Sequence, residues 1–215
     1  MQIKPFKNKK SGYTIIETMI AVALFLVVIM SGMNTLLSAN LVNNKTAKMR
    51  SIMDNLSFIV EDISRNMRTG YTYRCYDFDA WNQSYGGASE LDTPDSCTNG
   101  QVIVFEEAYG ITGPTNTDDQ WVYKLEQQGA IVGEYNIYKS INGGVTFVQL
   151  NSSEIILKAG SGFSVLGAEP PSAPTSNTQQ PLANVRLVGE VRYKDTVTPF
   201  SLQTSISQRL IDIDI

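Results

Sequence analysis

Two hydrophobic patterns follow one another along this chain, and each dictates a different kind of helix surface. From Thr18 to Val42 there is no charged residue, and Ile, Val, Leu, Met, Ala and Phe fall on every side of a helical wheel. A run of that length is sufficient for a bilayer core, which needs roughly 20 apolar residues in helical form. Beyond it, Ile52, Leu56, Ile59, Ile63 and Met67 recur at spacings of three and four and trace a single face. Lys48, Asp54, Asn55, Glu61, Asp62 and Arg65 fall on the opposite side. The spacing predicts one helix from Tyr13 to Thr69, closed by Gly70, and about 85 Å long at 1.5 Å per residue. Gly32 with Asn34 sits near the junction of the two patterns, where a glycine costs only about 1 kcal/mol relative to alanine, too little to locate a break.

From Tyr71 the pattern changes. Residues 71–100 combine turn formers with Tyr71, Tyr73, Tyr76, Phe78, Trp81 and Tyr85, which reads as an irregular loop. Strand-like runs follow at Gln101–Glu107, Gln120–Gln127, Tyr135–Ser140, Thr146–Leu150, Glu154–Lys158, Phe163–Leu166, Val185–Lys194 and Phe200–Gln208. Apolar and polar residues alternate cleanly from Val185 to Tyr193, the mark of a sheet with one wet face. Asn142-Gly143-Gly144 reads as a hairpin turn. Gly167 to Asn184, with four prolines among Ser, Thr and Gln, reads as an exposed loop. The fold class expected is α+β, a long N-terminal helix packed on an antiparallel β-sheet domain.

Ahead of the apolar run stand Lys4, Lys7, Lys9 and Lys10, then Ser11-Gly12-Tyr13-Thr14-Ile15-Ile16-Glu17. A carboxylate at Glu17, one turn into an apolar helix, costs about 2.5–3.5 kcal/mol near a bilayer centre and calls for a partner. A secretory signal peptide does not fit: the apolar run is too long, and no small-residue cleavage site follows it. A plain membrane anchor with the lysines kept inside fits the charge bias but leaves Gly12 and Glu17 unexplained.

Basic leader, glycine, hydrophobic start, Glu and long apolar helix together resemble the N-terminus of type IV prepilins and type II secretion pseudopilins. The resemblance covers about the first 45 residues. It implies a pilin-like fold and cleavage by a prepilin peptidase after Gly12, with methylation of the new N-terminus at Tyr13. It gives Glu17 an assembly role, pairing with the N-terminal amine of a neighbouring subunit. The implied partners are other pilin or pseudopilin subunits, the prepilin peptidase and an inner-membrane assembly platform. Residues 1–12 become a cleaved leader, 13–42 the transmembrane and polymerising half of the helix, 43–69 its amphipathic half, and 70–215 an extracytoplasmic β-rich domain with its Pro-rich loop at 167–184. Residues 49–68 and the late run from Phe200 to Arg209 also resemble J-type minor pseudopilins and PilW-like minor pilins, which implies a subunit that initiates or caps a filament. The alternative from another class is a membrane-anchored surface binding protein that keeps its N-terminal anchor.

Charge and composition narrow the chemistry. The chain carries 17 basic and 21 acidic residues, so losing the four leader lysines leaves 13 against 21, or −8. Nucleic acid is a poor partner for that balance, and Arg65, Arg68 and Arg74 read as a solvated face. There is no histidine, so imidazole metal sites and Ser-His-Asp triads are out, and no phosphate-binding glycine motif is present. The expectation is a non-enzyme without a cofactor. Asp77, Asp79, Asp92 and Asp95 are oxygen donors of the calcium type but lack the EF-hand spacing, which favours solvated loop acids. Cys75 and Cys97, the only cysteines, lie beyond the apolar run. With the leader inside, they face an oxidising compartment, where a disulfide is expected over two unrelated thiols.

Overall fold

The computed structural model describes residues 12–77, 94–111, 118–129, 131–170, 177–194 and 196–209. The chain divides into two compact units, Met1–Met49 and Arg50–Ile215. Helix α1, Ile15–Thr69, begins in the first and ends in the second. In the first unit every residue from Gly12 to Lys48 is exposed, large apolar side chains included. This part of α1 is long and apolar enough to cross a membrane. Four of its hydroxyls bond back into the helix: Thr18 donates to the Ile15 carbonyl at 2.8 Å, Ser31 to Val27 at 2.9 Å, Thr35 to Ser31 at 3.0 Å and Thr46 to Val42 at 3.0 Å. Bonds back into the helix remove the main cost of placing Ser and Thr in lipid.

The second unit is a ten-stranded antiparallel sheet with the end of α1 against it. Its strands are β1 Tyr71–Tyr76, β2 Cys97–Gly100, β3 Val102–Glu106, β4 Gln120–Gln127, β5 Glu134–Ser140, β6 Val148–Gln149, β7 Ile155–Lys158, β8 Gly162–Leu166, β9 Leu182–Tyr193 and β10 Thr196–Ser207. The order runs β1-β3-β4-β5-β7-β9-β8-β2, with β6 on β5 and β10 on β9. Ile52, Leu56, Ile59, Ile63 and Met67 are buried, all at 5% exposure or less. Each such side chain contributes about 1.5–3 kcal/mol by leaving water. Phe105 and Tyr123 stack on the helix-facing side at 6.1 Å, and Phe105 sits so close to Gly70 that a Cβ there would lie 2.4 Å from its ring. The opposite side holds a smaller apolar cluster of Tyr76, Val102, Val104 and Val122, with Phe147 against it.

Cys75 and Cys97 form a disulfide with Cα atoms 5.9 Å apart. The bond joins β1 to β2, the two ends of the strand order, so it curls the sheet back on itself. Two backbone bonds run along the same seam, Asp95 N–H to Tyr73 at 3.2 Å and Gln101 N–H to Tyr76 at 2.9 Å. β9 uses one edge for β8 along its first half and β7 along its second, and gives the other edge wholly to β10. Gly189 lets β7 come close, since a Cβ would meet the Ile156 carbonyl at 2.3 Å; the Phe200 ring of β10 covers the gap.

The structure corrects the sequence reading in several places. Residues 71–100 are not all irregular: β1 and β2 lie there, and Tyr73 points inward at 2% exposure. Phe78, Asp79, Trp81, Tyr85 and Asp92 fall outside the described residues. Gly70 follows the end of α1 as expected; its backbone is not left-handed, and what calls for glycine is the Phe105 ring, while the positive φ falls at Thr72, 52°. Asn55 and Asp62, read as opposite the packed face, are half-buried: Asn55 donates to the Leu150 carbonyl just after β6, and Asp62 accepts from Lys139 of β5. The run at Thr146–Leu150 shrinks to β6, because Phe147 leaves the ladder to pack on the small cluster. In the Pro-rich tract Ala168 and Pro181 are buried, and Leu182–Asn184 already belong to β9. Residues 171–176 of that tract lie outside the description.

Candidate functional site

The N-terminal motif begins just before α1. Thr14 stands as the N-cap, and its hydroxyl oxygen accepts the Glu17 N–H at 3.3 Å. Glu17 is therefore the third residue of the helix, and Thr14-Ile15-Ile16-Glu17 is a capping-box sequence, a signal the sequence reading passed over. Its carboxylate lies in the first turn, where unpaired amides give the helix a partial positive charge that favours an anion. The position thus has a local reason for an acid, independent of any neighbour. Tyr13 is 81% exposed among the described residues.

Gly12 is placed without constraint. A Cβ built on it meets nothing within 4 Å, and its backbone is not in the left-handed region. Among the described residues nothing requires glycine at position 12.

Residues 7–33 match the model of the prokaryotic N-terminal methylation motif. The match spans the basic stretch from Lys7 to Gly12, the capped start of α1, and its apolar run to Met33. It supports a type IV pilin-like family and indicates a prepilin-peptidase substrate of the pilin or pseudopilin kind. Such subunits are structural and assemble with other pilin subunits. Motif and apolar helix together point to a membrane anchor. No curated protein and no solved structure matches the chain.

Behind the pilin-type motif, two polar clusters shape the domain. The first lies between α1 and the sheet. Asp62 accepts from the Lys139 ammonium at 3.0 and 2.9 Å and from the Tyr123 hydroxyl at 2.8 Å, while Asn66 donates to that hydroxyl at 2.9 Å. Lys139 also lies 4.3 Å from the centre of the Trp121 ring. Burial pushes the Tyr123 phenol far above its ordinary range, and the Asp62 charge adds to this against the bond from Asn66. Tyr73, whose hydroxyl donates to the Met67 and Gly70 carbonyls at the helix end, is raised by burial alone.

The second cluster crosses β5, β7 and β9. Glu134 accepts from Lys158 at 2.8 Å and Arg192 at 2.6 Å, and Glu190 bonds the Arg192 Nε at 2.6 Å. The bonds from Lys158 and then Arg192 hold the Glu134 carboxyl below its usual range. These are two acids matched to two bases, a strand-locking array rather than an acid–base pair awaiting substrate. Arg65, Arg68 and Arg74 go separate ways: Arg65 faces Glu61 at 3.8 Å, the Arg68 carbonyl accepts the Arg209 N–H at 2.8 Å, and Arg74 lies over Tyr76. Asp77 and Asp95 are exposed, and no group of three metal-ligating side chains occurs among the described residues.

Proposed function

We propose that the chain is a minor pilin or pseudopilin, a structural subunit that helps to initiate or cap a type IV pilus or a type II secretion pseudopilus. The observation that carries this reading is the methylation motif over residues 7–33. In it, prepilin peptidase cuts after Gly12 and Tyr13 becomes the methylated N-terminus. The open surroundings of Gly12 support this assignment, because a glycine that no described neighbour requires is left for an enzyme to read. Glu17 then pairs with the N-terminal amine of a neighbouring subunit in the apolar filament core. Stranding one member of a buried ion pair costs about 3–5 kcal/mol, which penalises wrong stagger between helices.

The proposed domains follow: leader 1–12, membrane and polymerising half 13–42, amphipathic half 43–69, and domain 70–215 on the outer face of the inner membrane. The disulfide supports that orientation, since such bonds persist in oxidising compartments. The assembly platform of the inner membrane is the remaining partner. The PilW-like and J-type resemblance of residues 49–68 and 200–209 supports the minor role.

Gly12→Asp tests the reading. We expect a full-length precursor that stays in the membrane and migrates more slowly than the processed wild-type chain. Equal migration of the two, with the wild type uncut, would remove the prepilin assignment. Glu17→Gln keeps shape and loses charge; the expected outcome is normal cleavage with a sharp fall in incorporation into filaments.

A further inference from the structure

β10 is the last strand of the sheet, twelve residues long, and it pairs with β9 in unbroken register from Thr196↔Tyr193 to Ser207↔Leu182. Among the described residues nothing pairs with its other edge. A free edge offers a row of backbone N–H and C=O groups, which only another extended backbone can match in full. Sheet proteins usually guard such an edge with lysine, a bulge or a proline. β10 has no charged residue and no bulge; its single guard is Pro199, close to its start. Phe200 to Ile206 is therefore seven residues of uncharged, proline-free edge. Its partner β9 carries Arg186, Glu190 and Arg192, so the neutrality is a property of this strand, not of the region.

We infer that the β10 edge is an interface for a second copy of this chain, the two strands pairing antiparallel about a two-fold axis perpendicular to the sheet. The edge's own pattern fits it. One side of β10 carries Phe200, Leu202, Thr204 and Ile206, the other Ser201, Gln203, Ser205 and Ser207. In an antiparallel pair directly opposed residues share a face, so the centre of symmetry must fall on a residue rather than between two. Centring on Gln203 sets Gln203 against itself, Leu202 against Thr204, Ser201 against Ser205, and Phe200 against Ile206 of the second copy. That register pairs the two bulkiest side chains of the stretch with each other and leaves Pro199 at the rim of the ladder. An aromatic facing a β-branched residue is a favourable cross-strand pair. No like charges are opposed anywhere along it, the condition a self-pairing edge must meet. The interface rests on this edge alone and does not depend on cleavage after Gly12.

Both native cysteines are bonded to each other, so one introduced thiol can report on the register in the full chain in detergent. Gln203→Cys should give a covalent dimer under mild oxidation, because its opposite number is itself at about 5 Å between Cβ atoms. Ser201→Cys alone should not, its copies standing four residues or about 13 Å apart along the strand. Mixing Ser201→Cys with Ser205→Cys should restore the cross-link. Adding Ser201→Lys and Ser205→Lys to the Gln203→Cys chain opposes like charges and should abolish it, while Cys75–Cys97 still forms and reports that the domain has folded. A Gln203→Cys chain that stays monomeric, one whose cross-link survives the lysines, or a Ser201→Cys chain that dimerises as readily by itself would each overturn the interface. A cross-link found in membranes only to a different filament subunit would overturn the second copy as occupant.

Discussion

Asp62 carries three hydrogen bonds from two residues of the sheet while sitting on the last turns of α1. Its side chain and that of Lys139 are 20% and 17% exposed, between a surface pair worth almost nothing and a buried one. Removing the carboxylate takes the hydrogen-bond acceptor from an ammonium and a phenol packed under the helix. Asp62→Ala should lower stability by about 2–3 kcal/mol, as a fall in the denaturant midpoint of the full chain in detergent. No change would mean that water already serves these groups. Tyr73 and Tyr123 act at the other end of the pH scale. Both phenols are raised above the ordinary value of 10.0, so the unfolded chain releases these protons first. The stability they contribute is whole below about pH 10 and is lost as pH rises further. Alkaline titration followed by tyrosinate absorbance should show two phenols that ionise only with unfolding. Two normal titrations near pH 10 would contradict the burial described for them.

At the scale of elements, α1 was the most legible part of the chain. Its five buried positions, Ile52, Leu56, Ile59, Ile63 and Met67, are those the three-four spacing marks. β4 was equally clear: the run read as strand-like, Gln120–Gln127, is the strand observed. β1 was missed for a physical reason: its register shifts between Tyr71 and Arg74, and Thr72 takes a positive φ, so periodicity breaks within six residues. β2 was missed because Cys-Thr-Asn-Gly has turn composition, and only its pairing with β8 makes it a strand. Asp62 was read only as opposite the packed face, because helical spacing tells which residues share a face, not how far a sheet wraps round it. The Thr14–Glu17 capping box was readable, but the cost of Glu17 in lipid drew attention from its place in the first turn. The disulfide joins elements that periodicity could not see as neighbours. Cys75→Ser should cost about 3 kcal/mol, the chain-entropy value for a loop of this size, and free Cys97 for alkylation without reduction. An unchanged denaturant midpoint would assign closure of the sheet to its backbone seam alone.

At the scale of the whole molecule, two facts need a common cause: a helix whose first half exposes apolar residues on every side, and a methylation motif laid over its start. Water cannot be the environment of that half, since burying each of its Leu, Ile, Val and Phe side chains is worth about 1.5–3 kcal/mol. On the proposed function a bilayer before assembly and neighbouring helices after it meet the demand in turn, with processing after Gly12 as the step that separates the two states. The central claim is thus about one peptide bond. Intact mass measurement of the chain isolated from its native membranes tests it most directly. The account predicts a chain that starts at Tyr13, carries one added methyl group on its N-terminal amine and is two hydrogens lighter for the Cys75–Cys97 bond. A chain still carrying Met1 to Gly12, or one starting elsewhere without the methyl group, would contradict it.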